Sequence, residues 1–188
     1  MRIVVIGISG AGKTSLARQL AQEMQVPHIE LDALYWEPGW TAAAPAAFTA
    51  RAESASAGPA WVADGNYRVV RPLLWARATH LVWLDYPRPL IMARVIRRSV
   101  ARLLGRRELW NGNRERWRNL LEPGHPIRWA WTQWRPWRQG VEVALAGGAY
   151  PHLAVLRLRH PRELPAARAT LVRRAGRTAL PPRLVEER

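Results

Sequence analysis

The chain has 188 residues, 48% of them apolar, which is enough for one domain with a hydrophobic core and too many for a disordered chain. It contains no cysteine, which excludes disulfide scaffolds, zinc–thiolate sites and cysteine nucleophiles. The formal net charge is +15, and all of it lies beyond residue 85, where 22 arginines face seven acidic residues. This asymmetry favours a polyanionic ligand, either nucleotide phosphates or a nucleic-acid backbone, although a solvated basic surface gives the same count. The first apolar run is too short for a signal peptide and none is long enough for a membrane span, so we expect a cytoplasmic protein.

The predicted elements alternate between strands and helices along the chain. Short apolar stretches predict five strands, at residues 3–6, 28–31, 61–63, 80–84 and 153–158. Helical spacing with helix-start and helix-stop residues predicts four helices, at residues 13–25, 42–57, 87–104 and 161–174. The second of these helices is rich in alanine, so we expect it to be lightly anchored and mobile. The alternation predicts a three-layered α/β fold with a mostly parallel sheet, as one domain over residues 1–175 with a frayed tail over residues 176–188.

A glycine-rich loop follows the first predicted strand and precedes the first predicted helix. Gly7-Ile8-Ser9-Gly10-Ala11-Gly12-Lys13-Thr14 fits the phosphate-loop pattern G-x-x-x-x-G-K-[ST] at every required position. Lys13 is the only lysine among 29 basic residues, and a compact ammonium suits a tight phosphate cradle better than a planar guanidinium does. We therefore expect ATP phosphates to bind along Gly7, Ser9, Gly10, Ala11, Gly12, Lys13, Thr14 and Ser15, with Mg²⁺ on the Thr14 hydroxyl.

Other motifs narrow the class of nucleotide-binding protein. A GTPase needs an Asn-Lys-x-Asp segment to read guanine, and this chain has no second lysine for it. Because the chain is also short for a larger ATPase core, a small kinase is favoured by elimination. Such a kinase needs carboxylates at the carboxyl ends of its parallel strands, where three aspartates follow predicted strands. We assign Asp64 to the Mg²⁺ shell and Asp32 to the acceptor as contact or base, and we interpret Asp85 as a helix cap.

The motifs resemble those of one family. Residues 7–15, 31–36, 38–40, 64–67 and 105–115 resemble the adenylate-kinase-like P-loop proteins often labelled DNA topology modulation proteins. The resemblance covers residues 1–165 and implies a five-stranded parallel sheet in the order 2-3-1-4-5, with a helical acceptor segment and an arginine-rich lid. Adenylate kinases carry Asp-Gly-Phe-Pro-Arg after the third strand, and this chain keeps the Asp, Gly and Arg of that motif as Asp64, Gly65 and Arg68. The match supports Mg²⁺ binding by Asp64 and implies that Arg68 contacts the acceptor phosphate, whereas the replacement of Phe-Pro by Asn66-Tyr67 leaves AMP unsupported as the acceptor.

Two segments are expected to surround the reaction. The acceptor segment covers residues 32–60 and is predicted to begin with an aromatic-rich loop over residues 32–40. A pocket over residues 31–40, which include Tyr35 and Trp36, could bind a base, a sugar or another aromatic compound. The lid covers residues 94–138. The resemblance implies that its arginines include those that stabilise the transferring phosphoryl group, the candidates being Arg94, Arg98, Arg106, Arg107 and Arg114.

Three functions remain open at this stage. The favoured one is a Mg²⁺-dependent kinase that transfers the γ-phosphate of ATP to an unidentified nucleotide or small molecule. The second is a nucleic-acid-binding ATPase, since six tryptophans alternate with arginines over residues 110–138, although their partly helical spacing favours packing within the protein. The third is a nucleotide-dependent switch with little transfer activity. No membrane partner is expected, and the sequence does not predict the oligomeric state.

Overall fold

Five parallel strands form the centre of the molecule in a computed structural model, which describes residues 1–104, 110–112 and 125–179. We label these strands in chain order, as β1 (Arg2–Gly7), β2 (His28–Glu30), β3 (Trp61–Asp64), β4 (His80–Leu84) and β5 (Ala154–Leu158). Every neighbouring pair is parallel, and the spatial order is β2-β3-β1-β4-β5. The predicted fold class and strand order are therefore confirmed.

Helices cover both faces of this sheet and complete three layers. They are α1 (Lys13–Met24), α2 (Leu31–Tyr35), α3 (Pro45–Ala55), α4 (Arg71–Arg77), α5 (Arg88–Leu104), α6 (Pro126–Ala146) and α7 (Leu164–Ala179). Side chains of β1 alternate between the two faces, as expected for a pleated strand. Ile3 and Val5 pack in one core cluster with α1, whereas Val4 and Ile6 pack in a second cluster with α3 and α4.

Residues 31–42 differ from the predicted aromatic loop. They form α2, a one-turn 3₁₀ helix (Pro38–Trp40) and a small antiparallel hairpin in which Trp36 pairs with Ala42 and Glu37 pairs with Thr41. The turn of this hairpin needs a left-handed residue, and Gly39 supplies it with φ 73°. The segment is thus a folded platform that follows β2 directly.

Helix α3 is anchored more firmly than its alanine content predicted. Phe48, the only phenylalanine of the chain, is 1% exposed, and Ala52 is completely buried. The Trp61 indole donates to the Ser56 carbonyl just beyond the helix, and the Arg77 guanidinium binds the Ser56 hydroxyl and the Glu53 carboxylate. These contacts fix the acceptor segment to α4.

Three helices, α4, α6 and α7, differ from the sequence prediction. Helix α4 was not predicted, and its Leu74 and Trp75 are nearly fully buried. Helix α6 contains Pro136 in its interior and runs beyond the predicted lid boundary to Ala146. Helix α7 extends to Ala179, past the predicted end at residue 174, so residues 176–179 are helical and not a frayed tail.

Candidate functional site

The glycine-rich loop lies between β1 and α1 and has the conformation that a phosphate cradle requires. Gly10 and Gly12 have φ values of 87° and 94°, in the left-handed region that favours glycine. Gly7 permits a close approach, since a Cβ at this position would lie 3.0 Å from Ala11 Cβ and from Leu84. Within the described part of the chain, no side chain caps the amino terminus of α1, so the amides of its first turn have no capping partner there. These amides, the left-handed glycines and Lys13 together fit a nucleotide phosphate.

Three side chains hold the loop in place. The Asn66 amide binds both polar groups of the Gly7 residue, because its Oδ1 accepts from the Gly7 N–H at 3.2 Å and its Nδ2 donates to the Gly7 carbonyl. The Arg98 guanidinium donates to Ser9 Oγ at 2.7 Å, and Arg94 donates to the Ala11 carbonyl at 3.3 Å. Two of the five arginines predicted as candidates to stabilise the transferring phosphoryl group, Arg94 and Arg98, therefore lie against the loop, on helix α5.

The Lys13 ammonium is placed among charges of both signs. Burial lowers the pKa of Lys13, the carboxylates of Asp32 and Asp64 raise it, and the Arg98 guanidinium lowers it further. The amine lies 3.5 Å from the Ile8 carbonyl of its own loop. The two predicted aspartates are thus close enough to act on Lys13 electrostatically.

Asp64 links the loop to His28, the first residue of β2. Its side chain is 2% exposed, and its Oδ2 accepts from Thr14 Oγ1 at 2.6 Å. Its Oδ1 lies 2.7 Å from His28 Nε2. Thr14 and Asp64, predicted as metal residues, therefore stand side by side. The described residues hold no group of three or more His, Asp or Glu that could bind a metal ion by itself, so oxygens of a bound nucleotide would have to complete a Mg²⁺ site here.

Asp32 and the aromatic side chains of residues 31–42, called the aromatic platform below, form the other side of the site. The Tyr67 hydroxyl donates to Asp32 Oδ1, and burial, together with this carboxylate, raises the pKa of Tyr67. The Tyr35 ring contacts the Tyr67 ring with centroids 4.4 Å apart, and it meets Trp36 and Phe48 edge-on. The structure therefore brings the predicted acceptor residues Asp32, Tyr35 and Trp36 together.

Residues 110–112 rest on this platform. Trp110 meets the Trp40 ring edge-on with centroids 6.3 Å apart, and the Asn111 amide donates to the Trp36 carbonyl. Burial raises the pKa of the Glu30 carboxyl, and a hydrogen bond from Trp110 lowers it. This part of the predicted lid thus contacts the acceptor segment directly.

The remaining predicted residues are not brought to the site by the described part of the structure. Arg68 is exposed, and no contact of this residue with the described part of the site is seen. The lid candidates Arg106, Arg107 and Arg114 lie outside the described residues. Asp85 is nearly buried, and its carboxylate binds Arg157 at 2.6 Å and Arg138 at 3.2 Å, so the cap interpretation missed an ion-pair cluster between β4, β5 and α6.

The tryptophans of the arginine-rich segment pack mainly inside the protein. Trp129, Trp134 and Trp137 are partly buried against the core clusters, as their helical spacing indicated. Trp131 is 57% exposed, with the Arg88 guanidinium 3.7 Å from its ring centroid. Trp117 lies outside the described residues.

Three residues of the site were not identified from the sequence as contacts of the loop or the aspartates. His28, Asn66 and Tyr67 act through hydrogen bonds to Asp64, Gly7 and Asp32 respectively. The sequence offered one signal, since Asn66 and Tyr67 follow Asp64-Gly65 directly.

Comparisons with known proteins agree with this geometry. Residues 3–63 match the sequence model of the ATPase family associated with various cellular activities (AAA). No curated protein matches the chain. A shikimate kinase from Acinetobacter baumannii, solved in complex with shikimate, is 16% identical with a TM-score of 0.53, over 96% of this chain and 95% of that chain. A gluconokinase from Sinorhizobium meliloti 1021 is 17% identical with a TM-score of 0.48, over 95% of this chain and 97% of that one. At these identities the first structure supports the fold of a P-loop kinase. Within the described residues, no helix is both long and apolar enough to cross a membrane.

Proposed function

We propose that the protein is a Mg²⁺-dependent phosphotransferase that moves the γ-phosphoryl group of ATP to a hydroxyl of a small-molecule acceptor. The observation that carries this proposal is the pairing of Thr14 with Asp64 beside Lys13, while Asp32 acts on the same lysine from the acceptor side. A phosphate cradle alone serves many nucleotide-binding proteins. Phosphoryl transfer to a hydroxyl needs in addition a group that can accept the hydroxyl proton, and Asp32, beside the aromatic residues of the acceptor segment, is a carboxylate that can do so.

The residues divide the work between the two substrates. The loop amides and Lys13 bind and orient the β- and γ-phosphates, and Thr14 with Asp64 would hold Mg²⁺. The metal, when bound, neutralises part of the negative charge that develops on the phosphate oxygens. Arg98 and Arg94 add positive charge beside the loop, and Arg107 of the lid keeps its predicted role at the transferring group.

Asp32 is assigned the proton of the acceptor hydroxyl. Tyr67 binds Asp32 Oδ1, which leaves Oδ2 for the incoming hydroxyl. As the hydroxyl oxygen forms its bond to the γ-phosphorus, its proton passes to Asp32, the bond to the β–γ bridging oxygen breaks, and ADP leaves. Tyr35 and Trp36 offer ring faces to the acceptor, and Arg68 is assigned to an acidic group on it. The shikimate kinase of similar fold was solved with shikimate, and we extend the small-molecule class of acceptor to this chain on that basis.

The test is acceptor-dependent release of ADP from ATP and Mg²⁺, screened over nucleoside monophosphates and small alcohols. We expect Lys13→Ala to abolish transfer while the protein stays folded, because the lysine serves the nucleotide and belongs to neither core cluster. Arg18→Ala removes an exposed cation from the same helix α1 and is expected to leave the rate unchanged. A folded Lys13→Ala protein with full activity would refute the proposal. Hydrolysis that no acceptor accelerates would favour a nucleotide-dependent switch instead.

A further inference from the structure

An opening lies beside Leu31 and Tyr67, next to the acceptor segment. It is a narrow cleft with an empty volume of about 300 Å³ including its open mouth, between the carboxyl end of the sheet and helices α4 and α6. Ile6, Leu31 and Trp75 form apolar walls, whereas Asn66, Tyr67, Arg71 and Trp137 bring polar groups to it. Two of these residues also serve the proposed catalytic site, since Tyr67 binds Asp32 and Asn66 binds Gly7.

Arg71 is a cation without an acidic partner in this cleft. Its guanidinium lies 5.1 Å from the centroid of the Trp75 ring, and among the described residues no carboxylate forms an ion pair with it. Burial lowers the pKa of Arg71, the neighbouring cation Arg68 lowers it further, and Tyr150 raises it by less than these two effects together. The surroundings therefore disfavour the positive charge on balance, which a bound anion would relieve.

Trp137 adds a hydrogen-bond donor to the same cleft. Its indole Nε1 is buried and has no hydrogen-bond partner among the described residues. A buried N–H without a partner is costly, so such a group commonly marks a site that a water or a ligand oxygen fills. Arg71 and Trp137 both line this cleft, so the guanidinium and the indole N–H are the two donors that we assign to the oxygens of a single anionic group.

We propose that the Arg71–Trp137 cleft binds a carboxylate or phosphate group of the acceptor, which makes the acceptor a small anion that carries a hydroxyl. That the bound anion is a phosphoryl acceptor rests on the proposed function, whereas the anion site itself does not depend on it. Tyr67 lines the cleft, and its hydroxyl binds Asp32, so it connects the proposed anion site with the carboxylate assigned to the acceptor hydroxyl. The Arg68 guanidinium, which acts electrostatically on Arg71, adds a second positive charge near the cleft.

The test is calorimetric titration of the full-length protein with inorganic phosphate and, separately, with malonate. The phosphate loop is first saturated with Mg²⁺ and a non-hydrolysable ATP analogue, so that phosphate cannot bind there. We expect one site on the wild type, and the tighter of the two anions identifies a phosphate or a carboxylate as the natural group. Arg71→Gln and Trp137→Phe are each expected to weaken binding about tenfold or more, as for a lost hydrogen bond to a charged group. Arg18→Gln, which removes an equal charge from α1, is expected to leave it unchanged.

Several results would overturn the inference. They are the absence of binding to the wild type, equal affinity in Arg71→Gln and Trp137→Phe, or an equal loss in Arg18→Gln, which would indicate diffuse attraction to a basic surface. Binding of the ATP analogue to each variant shows that it is folded. The outcome is separate from that of the proposed function. Acceptor-dependent ADP release without anion binding refutes only the cleft, and anion binding without transfer refutes only the kinase.

Discussion

Asn66→Ala should separate the stability of the sheet from the affinity of the phosphate loop. The Asn66 side chain binds the N–H and the carbonyl of Gly7, the last residue of β1 and the first of the loop. Thr79 makes an equivalent pair of bonds at the other end of β1, where its Oγ1 accepts from the Arg2 N–H at 3.0 Å and donates to the Arg2 carbonyl at 2.9 Å. Thr79→Val is therefore a control on the same strand far from the loop, in which these two bonds and the 2.9 Å contact of Oγ1 with His80 Nδ1 are lost.

The size of the effect follows from the number of bonds. Each neutral hydrogen bond contributes about 0.5–1.5 kcal/mol, so either substitution should lower the free energy of unfolding by about 1–3 kcal/mol. In the wild type the Asn66 bonds order the loop before the nucleotide binds, whereas in Asn66→Ala the nucleotide itself must order it. The binding free energy can therefore fall by as much as the lost bonds contributed. The dissociation constant for ATP should then rise between about fivefold and about 150-fold, whereas Thr79→Val should leave it unchanged.

Two measurements on each variant decide the matter. Urea unfolding gives the stability, and titration with a fluorescent ATP analogue gives the affinity. If Asn66→Ala loses as much stability as Thr79→Val but binds ATP as tightly as the wild type does, the bonds to Gly7 do not order the loop and the reasoning is wrong. Equal losses of affinity in both variants would also contradict it, because the effect would then follow from the strand as a whole.

Three further substitutions test other parts of the structure. Phe48→Ala should cost about 3–5 kcal/mol of unfolding free energy in a denaturant titration, since the ring is fully buried, and a loss below 1 kcal/mol would restore the prediction of a lightly anchored α3. Glu30→Gln should raise the melting temperature at pH 7 but not at pH 4. The raised pKa of Glu30 means that the fold disfavours the charged carboxylate, and this cost disappears where the carboxyl is protonated in both the folded and the unfolded protein. The opposite pH trend would contradict this explanation. His28→Phe keeps a ring but removes the bond to Asp64, so half-maximal binding of an ATP analogue should need more Mg²⁺, and an unchanged requirement would show that His28 does not position Asp64.

Local patterns in the sequence predicted most of the fold. The three central strands β1, β3 and β4 were recognisable because each is a short, buried apolar run, and the glycine-rich loop has a fixed spacing. Helix α4 escaped because seven residues have little helical preference of their own, and it is the burial of Leu74 and Trp75 that stabilises it. In α6, Pro136 interrupts the pattern although the helix continues through it.

The residues of the candidate site fall into two groups, those proposed to contact a ligand and those that only position such residues. Lys13, Thr14, Asp32 and Asp64 could be singled out in the sequence because the roles proposed for them, contact with phosphates, Mg²⁺ or a hydroxyl proton, restrict a position to very few residue types. A side chain that only holds such a residue can be almost any donor or acceptor, so its type carries no signature in the sequence. His28 reaches Asp64 only because β2 pairs with β3 in the register that sets Glu30 opposite Asp64, and this register comes from the packing of the whole sheet. Residues that position a reactive group therefore have to be found from the structure, even where the reactive group can be identified from the sequence.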